Sequence, residues 1–508
     1  MKSAPLIRMV MPSFQTMVWI TVFIAVIGFG PRLLNMDGDL GRHLTLGQLI
    51  LETRSIPLVD MVSHTKFGEP LTPHEWLSQV LFALAYRLLG LDGVVLLVGI
   101  VIATVFYFVY RQCALGSRGL IVPFTITLLA MAASSIHWLS RPHIFTFLML
   151  VIWTDGLYRL RLGDLKTWWL LPLVMLLWVN LHGAFIAGFF VWAVYLVGYL
   201  LDGWLGSKYD DPIHEKRFGS RLMYVGGASF VLSLVNPAGI YLWSTSLGYI
   251  QNRYLVSHTA EYLPPDFQAI SASPFLLMII LSLVVLGLRN KRLSIRSILL
   301  LAGWTAMALY STRNIPLYAI IAAPILSGTL SKIVDGKSIR ISVIEKFRNF
   351  DHRIADIQRQ VKGFIWIPVV ILLAGVLLWN GFRLDFSRSG NRFFPEVFPE
   401  QAVDWLVMHP QPGNVFNEFT WGGYLLYRQY PGMKVFIDGQ TDFYGEALTR
   451  EYEQVITLRP GWEKVFQKYQ ILWVIFPHGA PIFRGLSTLP GWKCVYQDAT
   501  AEIWVFHP

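Results

Sequence analysis

Long apolar stretches broken by short polar ones run through the first four-fifths of the chain. Each stretch is long enough to approach the thickness of a bilayer core. About eleven spans can be laid out by placing the basic loops on one side. They cover 14–34, 94–111, 119–136, 143–159, 167–181, 184–201, 221–236, 273–289, 294–311, 315–331 and 364–382. The segment from Glu75 to Gly90 is apolar but only about sixteen residues long, at the short end for a span. Its polar residues Glu75, Gln79, Tyr86 and Arg87 recur at helical spacing, so one face is wet. Read as a helix lying in the interface, it puts roughly three-quarters of the Lys and Arg of the membrane region on the cytoplasmic side. These include the Arg289–Arg292 loop and the basic loop from Lys332 to Lys362. Read as a true span, it reverses that bias.

The first outer loop then runs from about 35 to 93 and carries two interfacial helices. The first covers Leu40 to Thr53. Leu40, Leu44, Gly47 and Leu51 form its apolar stripe, with Arg42, Gln48 and Glu52 away from it. From Pro395 onward the pattern changes to mixed apolar and polar residues. Helices are expected at 399–408, 421–430, 446–456 and 461–469. Strands are expected at 415–419, 434–438 and 471–476, with a terminal hairpin over 492–506. Alternating strands and helices imply a small α/β unit. The expected fold is therefore mainly α. It is a polytopic membrane bundle over 1–390 with an α/β domain over 391–508, outside the cell.

Composition agrees. With 54% hydrophobic and 15% charged residues and a mean hydropathy of +0.49, a water-soluble globule is excluded. The net charge of +10 reads as cytoplasmic anchoring of loops, not as a nucleic-acid surface. Lys2 and Arg8 precede the apolar stretch Phe14–Phe29, which reads as an uncleaved signal anchor. Cys113 and Cys494 fall on opposite sides of the membrane, so no disulfide is expected. The spans show no clean internal repeat, and their interiors hold almost no charge apart from Asp155. Both features argue against a transporter.

The residues able to do chemistry gather at the outer ends of the spans. Asp37-Gly-Asp39 follows the first span. Two such carboxylates can bind a divalent cation or act as a general base. They can also be turn chemistry, with Asp39 capping the next helix. Of the two, Asp37 is nearer the membrane and is the preferred base. His43 follows in the same stretch. His74-Glu75 opens the second interfacial helix. There Glu75 either offsets the helix dipole or orients a histidine or ligates a metal. Arg141 in Ser-Arg-Pro and Arg313 in Thr-Arg-Asn lie on the side where basic residues are disfavoured. We expect each to meet a phosphate. The alternatives are ion pairs with Asp37, Asp39 or Glu261, or snorkelling to head groups. His143 and His182 can be further cavity residues or hydrogen-bonded helix ends. His258 and Glu261 lie in the outer loop 237–272, which is long enough to form a lid. In the outer domain, Trp421-Gly-Gly-Tyr424 and Asp438-Gly-Gln-Thr-Asp442 stand out. Gly422 and Gly423 can admit another chain or a ligand, or simply form a scaffolding turn. Asp438 and Asp442 end a strand where α/β domains place ligands. Aromatics with carboxylates suit a sugar, and a direct catalytic role is not expected.

This layout resembles the GT-C superfamily of membrane glycosyltransferases, which includes protein O-mannosyltransferases and aminoarabinose transferases. The resemblance rests on Asp37-Gly-Asp39 after the first span and on the stretch from Pro73-His-Glu-Trp-Leu77 to Leu88-Leu-Gly90. The architecture extends it along the chain. It implies a transferase in the bacterial cytoplasmic membrane, with the N-terminus inside. The sugar donor would be polyprenyl-phosphate-linked. The acceptor, a protein, lipid or glycan, is left open. A first-loop acid, Asp37 or Asp39, would activate the acceptor, and Arg141 and Arg313 would hold the lipid phosphate. Some members need a divalent metal such as Mg or Mn, which Asp37 and Asp39 would hold here. The alternative is a non-enzymatic envelope protein that binds or translocates a lipid-linked glycan.

Overall fold

The computed structural model of the chain describes residues 10–163, 166, 168–204, 212–287, 293–335, 342–361 and 363–507. Lys2, Arg8, Lys208, the Arg289–Arg292 loop and Lys362 lie outside the described residues.

The bundle is built from apolar helices. Among the described residues, four helices are long and apolar enough to cross a membrane: Trp76–Ala114, Gly183–Trp204, Ile270–Gly287 and Thr312–Val334. Phe14–Gly28, Ile121–His137, Trp168–Leu181, Ile295–Tyr310 and Trp366–Trp379 are apolar but shorter. Thus four of the expected spans meet both the length and the hydropathy needed to cross.

The helix Ile315–Val334 is the hub. It packs against Ile121–Ser134, Trp76–Ala114, Ile295–Tyr310, Ser273–Gly287 and His143–Leu162. Ala319, Ala322 and Ala323 are fully buried on it. Small side chains let neighbouring backbones come close, which is how apolar helices associate where hydrophobicity gives no preference. At the opposite extreme, Trp366–Trp379 exposes Leu372, Leu373 and Trp379. It touches the bundle through Phe14–Gly28 and Trp76–Ala114, leaving an apolar face that suits lipid.

The second interfacial helix and the following span form one helix, Trp76–Ala114, broken at Leu89 and Gly90. Gly90 has φ +59°, a conformation glycine adopts without steric cost. The expected break is therefore present, as a kink and not as a loop. The first interfacial helix spans Asp39–Thr53. Arg42 departs from the expected pattern. It is buried, because the outer domain covers that face of the helix. The basic loop 332–362 contains a further helix, Ser342–Gln358, that the spans did not suggest.

The C-terminal part, termed the outer domain after its expected position, carries a four-stranded sheet: β1 (Asn414–Asn417), β2 (Ile471–Pro477), β3 (Trp492–Gln497) and β4 (Ala501–Phe506). Its order is β1-β2-β4-β3. β1 runs parallel to β2, and β4 is antiparallel to both β2 and β3. The expected strand at 434–438 is not in this sheet. Val435 makes only an isolated bridge with Ser63 of the first loop. Its backbone groups find other partners. Val435 N–H donates to the Val62 carbonyl, and Phe436 N–H donates to the Asn417 side chain. The Asn417 amide donates in turn to the Ile437 carbonyl. With those groups satisfied, a sheet neighbour is not required.

Two glycine contacts hold the outer domain against the first loop. A Cβ on Gly41 would overlap the Gly423 carbonyl, and one on Gly423 would overlap the Gly38 carbonyl. The Gly-Gly pair noticed in the sequence thus permits a backbone approach within this chain.

Candidate active site

Four chain segments meet at one mouth of the bundle. Asp37 sits in the turn before the helix Asp39–Thr53, and its Oδ1 accepts from the Asp39 N–H at 3.1 Å. Asp37 thus closes a turn onto the first residue of the helix, whose N-cap is Gly38, and Asp39 lies inside the helix. Arg141 sits in the turn before His143–Leu162, and the Ser140 N–H donates to the Leu33 carbonyl at 3.2 Å. That bond ties the arginine's backbone to the end of the first span. Glu261 lies in the outer loop. Its carbonyl accepts from the Ser311 and Thr312 hydroxyls at 3.0 and 2.9 Å. Glu261 and Arg313 are thereby brought side by side.

Arg141 joins these pieces. Its Nη1 is 2.9 Å from Asp37 Oδ2 and also pairs with Glu261, while its Nη2 pairs with Asp39. Arg141 is shared among three carboxylates, the ion pairing weighed against a phosphate for this residue. Arg313 donates to the Tyr262 hydroxyl at 2.6 Å and lies 3.9 Å from Glu261 Oε2. It also reaches His182 Nε2 at 3.4 Å.

The electrostatics divide the acids. Burial pushes Asp37 up to about 7, against the pull of Arg141 and with the help of Asp39 and Glu261. For Glu261 burial also opposes ionisation, but Arg141 and Arg313 outweigh it and hold the carboxyl well below its usual range. The site therefore has one firmly ionised acid beside one poised to exchange a proton near neutrality.

A second polar group adjoins the first. Glu75 lies 3.5 Å from His182 Nε2, 3.8 Å from His74 Nε2 and 3.9 Å from His43 Nδ1. Burial raises Glu75 and lowers His43 well below its ordinary value, with Arg42 and Arg141 adding to the latter. Both effects favour the neutral imidazole of His43. His182 Nδ1 meets the Thr146 hydroxyl at 2.9 Å. His143 Nε2 meets the His137 carbonyl at 2.7 Å, as a hydrogen-bonded helix end does. His258 is not brought to this mouth. It is half exposed, stacks on Tyr254 and faces Glu453 at 3.6 Å. Its helix, Arg253–His258, packs on the outer domain instead.

The outer domain reaches this mouth through the segment Asp438–Asp442. Asp438 is fully buried and pairs with Arg42 at 3.2 Å. Arg42 also donates to Gln440. Asp442 lies 3.8 Å from His74, and Gly439 abuts the Asp39 carboxylate. A crevice between the first loop and this segment is lined by Arg42, Thr72, His74, Glu75, Gln79 and Gln440. Arg42 was missed in the sequence. The available signal was its spacing: Asp39, Arg42 and His43 at i, i+3 and i+4 share one helical face.

A divalent metal does not fit the acidic cluster as it stands. Asp37, Asp39 and Glu261 already converge on the Arg141 guanidinium. Among the described residues, no group of three or more His, Cys, Asp or Glu side chains could hold a metal ion.

No protein-family model and no curated protein matches the chain. Solved structures do. The archaeal oligosaccharyltransferase AglB from Archaeoglobus fulgidus, in complex with an inhibitory peptide and a dolichol-phosphate, superimposes with a TM-score of 0.56 at 11% identity. The match covers 96% of this chain and 74% of that one. The apo oligosaccharyltransferase of the same organism gives 0.56 at 11% identity, covering 91% and 69%. ArnT from Cupriavidus metallidurans, bound to undecaprenyl phosphate, gives 0.52 at 13% identity, covering 96% and 97%. Both enzymes are GT-C glycosyltransferases. The helical bundle with its C-terminal α/β part thus shares the fold of these GT-C glycosyltransferases, and its apolar helices suit a membrane.

Proposed function

We propose that this protein transfers a sugar from a polyprenyl-phosphate-linked donor to an acceptor at the outer face of the bacterial cytoplasmic membrane. The observation that carries the reading is a buried carboxyl near neutrality, Asp37, paired with Arg141, which also holds Glu261, the carboxylate facing Arg313. Likeness in fold to AglB and ArnT, which were solved with dolichol-phosphate and undecaprenyl phosphate, supports a lipid phosphate as the leaving group.

In this reading the acceptor nucleophile attacks the anomeric carbon of the donor. A new bond forms there as the bond to the phosphate oxygen breaks. The acceptor's proton passes to Asp37, whose raised pKa suits a base working near pH 7. The bonding pair leaves with the lipid phosphate, and Arg313 stabilises that charge by exchanging its 3.9 Å contact with Glu261 for the phosphate. Arg141 holds Asp37, Asp39 and Glu261 in register. The reading takes the chain as about eleven spans over 1–390, with the N-terminus inside and an outer domain over 391–508.

Incubation of the purified protein with labelled polyprenyl-phosphate sugars, scoring release of the lipid phosphate, tests this. Release that depends on the protein supports transfer. Saturable donor binding with no release, across hexose and pentose donors and a mixed pool of acceptors, favours a non-enzymatic carrier of lipid-linked glycan.

A further inference from the structure

The cation at the centre of the acidic cluster belongs to the protein. Arg141 Nη1 lies between Asp37 and Glu261, and Nη2 pairs with Asp39. A divalent ion needs several oxygens converging on a single centre at about 2.0–2.6 Å. Here the three carboxylates are spread over two guanidinium nitrogens, a wider and planar target.

The arginine is also fixed in place. The Ser140 N–H is bonded to the Leu33 carbonyl, and Pro142 leads directly into the helix His143–Leu162. The Arg141 side chain is only 21% exposed. Burial opposes its charge, but the three carboxylates hold it firmly protonated. A guanidinium at such a site neither dissociates nor titrates in the physiological range. Arg313 adds a second positive charge on the far side of Glu261, so an incoming divalent ion would meet repulsion from both arginines.

We propose that Arg141 is the resident cation of this site and holds the position that a divalent metal would otherwise take among Asp37, Asp39 and Glu261. The proposal concerns the same cluster as the transfer reaction. It is tested by ion binding, so its failure and the failure of the transferase reading are told apart.

The probe is Mn2+, followed by electron paramagnetic resonance on the full chain in detergent. Wild type should bind no Mn2+ that Asp39→Asn abolishes. Arg141→Ala removes the cation and leaves three carboxylates facing one another. It should gain one tightly bound Mn2+ per chain, and that ion should be lost again in Arg141→Ala with Asp39→Asn. Arg141→Lys keeps the charge and should gain none. A wild-type Mn2+ site lost in Asp39→Asn overturns the proposal. So does a folded Arg141→Ala variant that gains no ion. Should Arg141→Ala fail to fold, the comparison of wild type with Asp39→Asn decides alone.

Discussion

Gly439 of the outer domain lies so close to Asp39 that a methyl group on it would overlap the carboxylate. The outer domain thus forms one wall of the acidic cluster. Gly439→Ala should push Asp39 out of register with Arg141. Overpacking of this kind costs about 1–3 kcal/mol. If it falls on the transition state, transfer drops by roughly ten- to a hundredfold. The expected outcome is a folded protein with slow lipid-phosphate release, checked by thermal melting alongside the rate.

Arg313 is held by Tyr262 and faces Glu261. If it receives the donor phosphate, Arg313→Ala should weaken polyprenyl-phosphate binding by on the order of ten- to a hundredfold, as loss of a charged hydrogen bond does. Arg313→Lys should recover only part, because the two-pronged fork is gone. Titration of the lipid phosphate against tryptophan fluorescence measures both.

Asp37 sets the pH dependence. A base must be ionised to work, so kcat/KM should rise along an acid limb centred near the value of about 7 to which burial pushes this carboxyl. Stability runs the other way. A carboxyl raised on folding favours the folded state while protonated. That contribution is whole below the ordinary carboxylate range and is lost as pH rises through about 7. Asp37→Asn should abolish transfer and flatten this part of the melting profile.

The buried pair Arg42–Asp438 ties the two domains together. Arg42→Ala leaves a buried carboxylate without its partner, which typically costs about 3–5 kcal/mol. Burial already pushes Asp438 up to about 6, and losing Arg42 should push it further. Melting of Arg42→Ala should therefore be closest to wild type in acid and worst in alkali. Replacing both residues, as Arg42→Met with Asp438→Leu, should recover most of the loss.

The sequence carried the mainly helical character because long apolar runs alternate with short polar ones, and four of the described helices have the length and hydropathy to cross a membrane. It also marked Asp37, Asp39, Arg141, Glu261 and Arg313 one by one. What it could not carry was their meeting, since that depends on contacts between remote segments such as Ser140 with Leu33 and Glu261 with Ser311. The segment 434–438 shows the same limit. It has the residues of a strand, yet its backbone pairs with the first loop and with the Asn417 side chain. The burial of Arg42 and the role of the Asp438–Asp442 segment were hidden for a single reason: each is defined by the other. His258 was drawn in by its loop, but it turns toward Glu453.

The central claim is that Asp37 and Asp39 serve transfer from a lipid-linked sugar. The direct measurement compares wild type with the Asp37→Asn, Asp39→Asn double variant. Both receive labelled polyprenyl-phosphate sugar, and release of the lipid phosphate is followed over a single turnover. The account predicts release by the wild type and none above background by a variant that is folded and expressed normally. Release at the wild-type rate by that variant would contradict it.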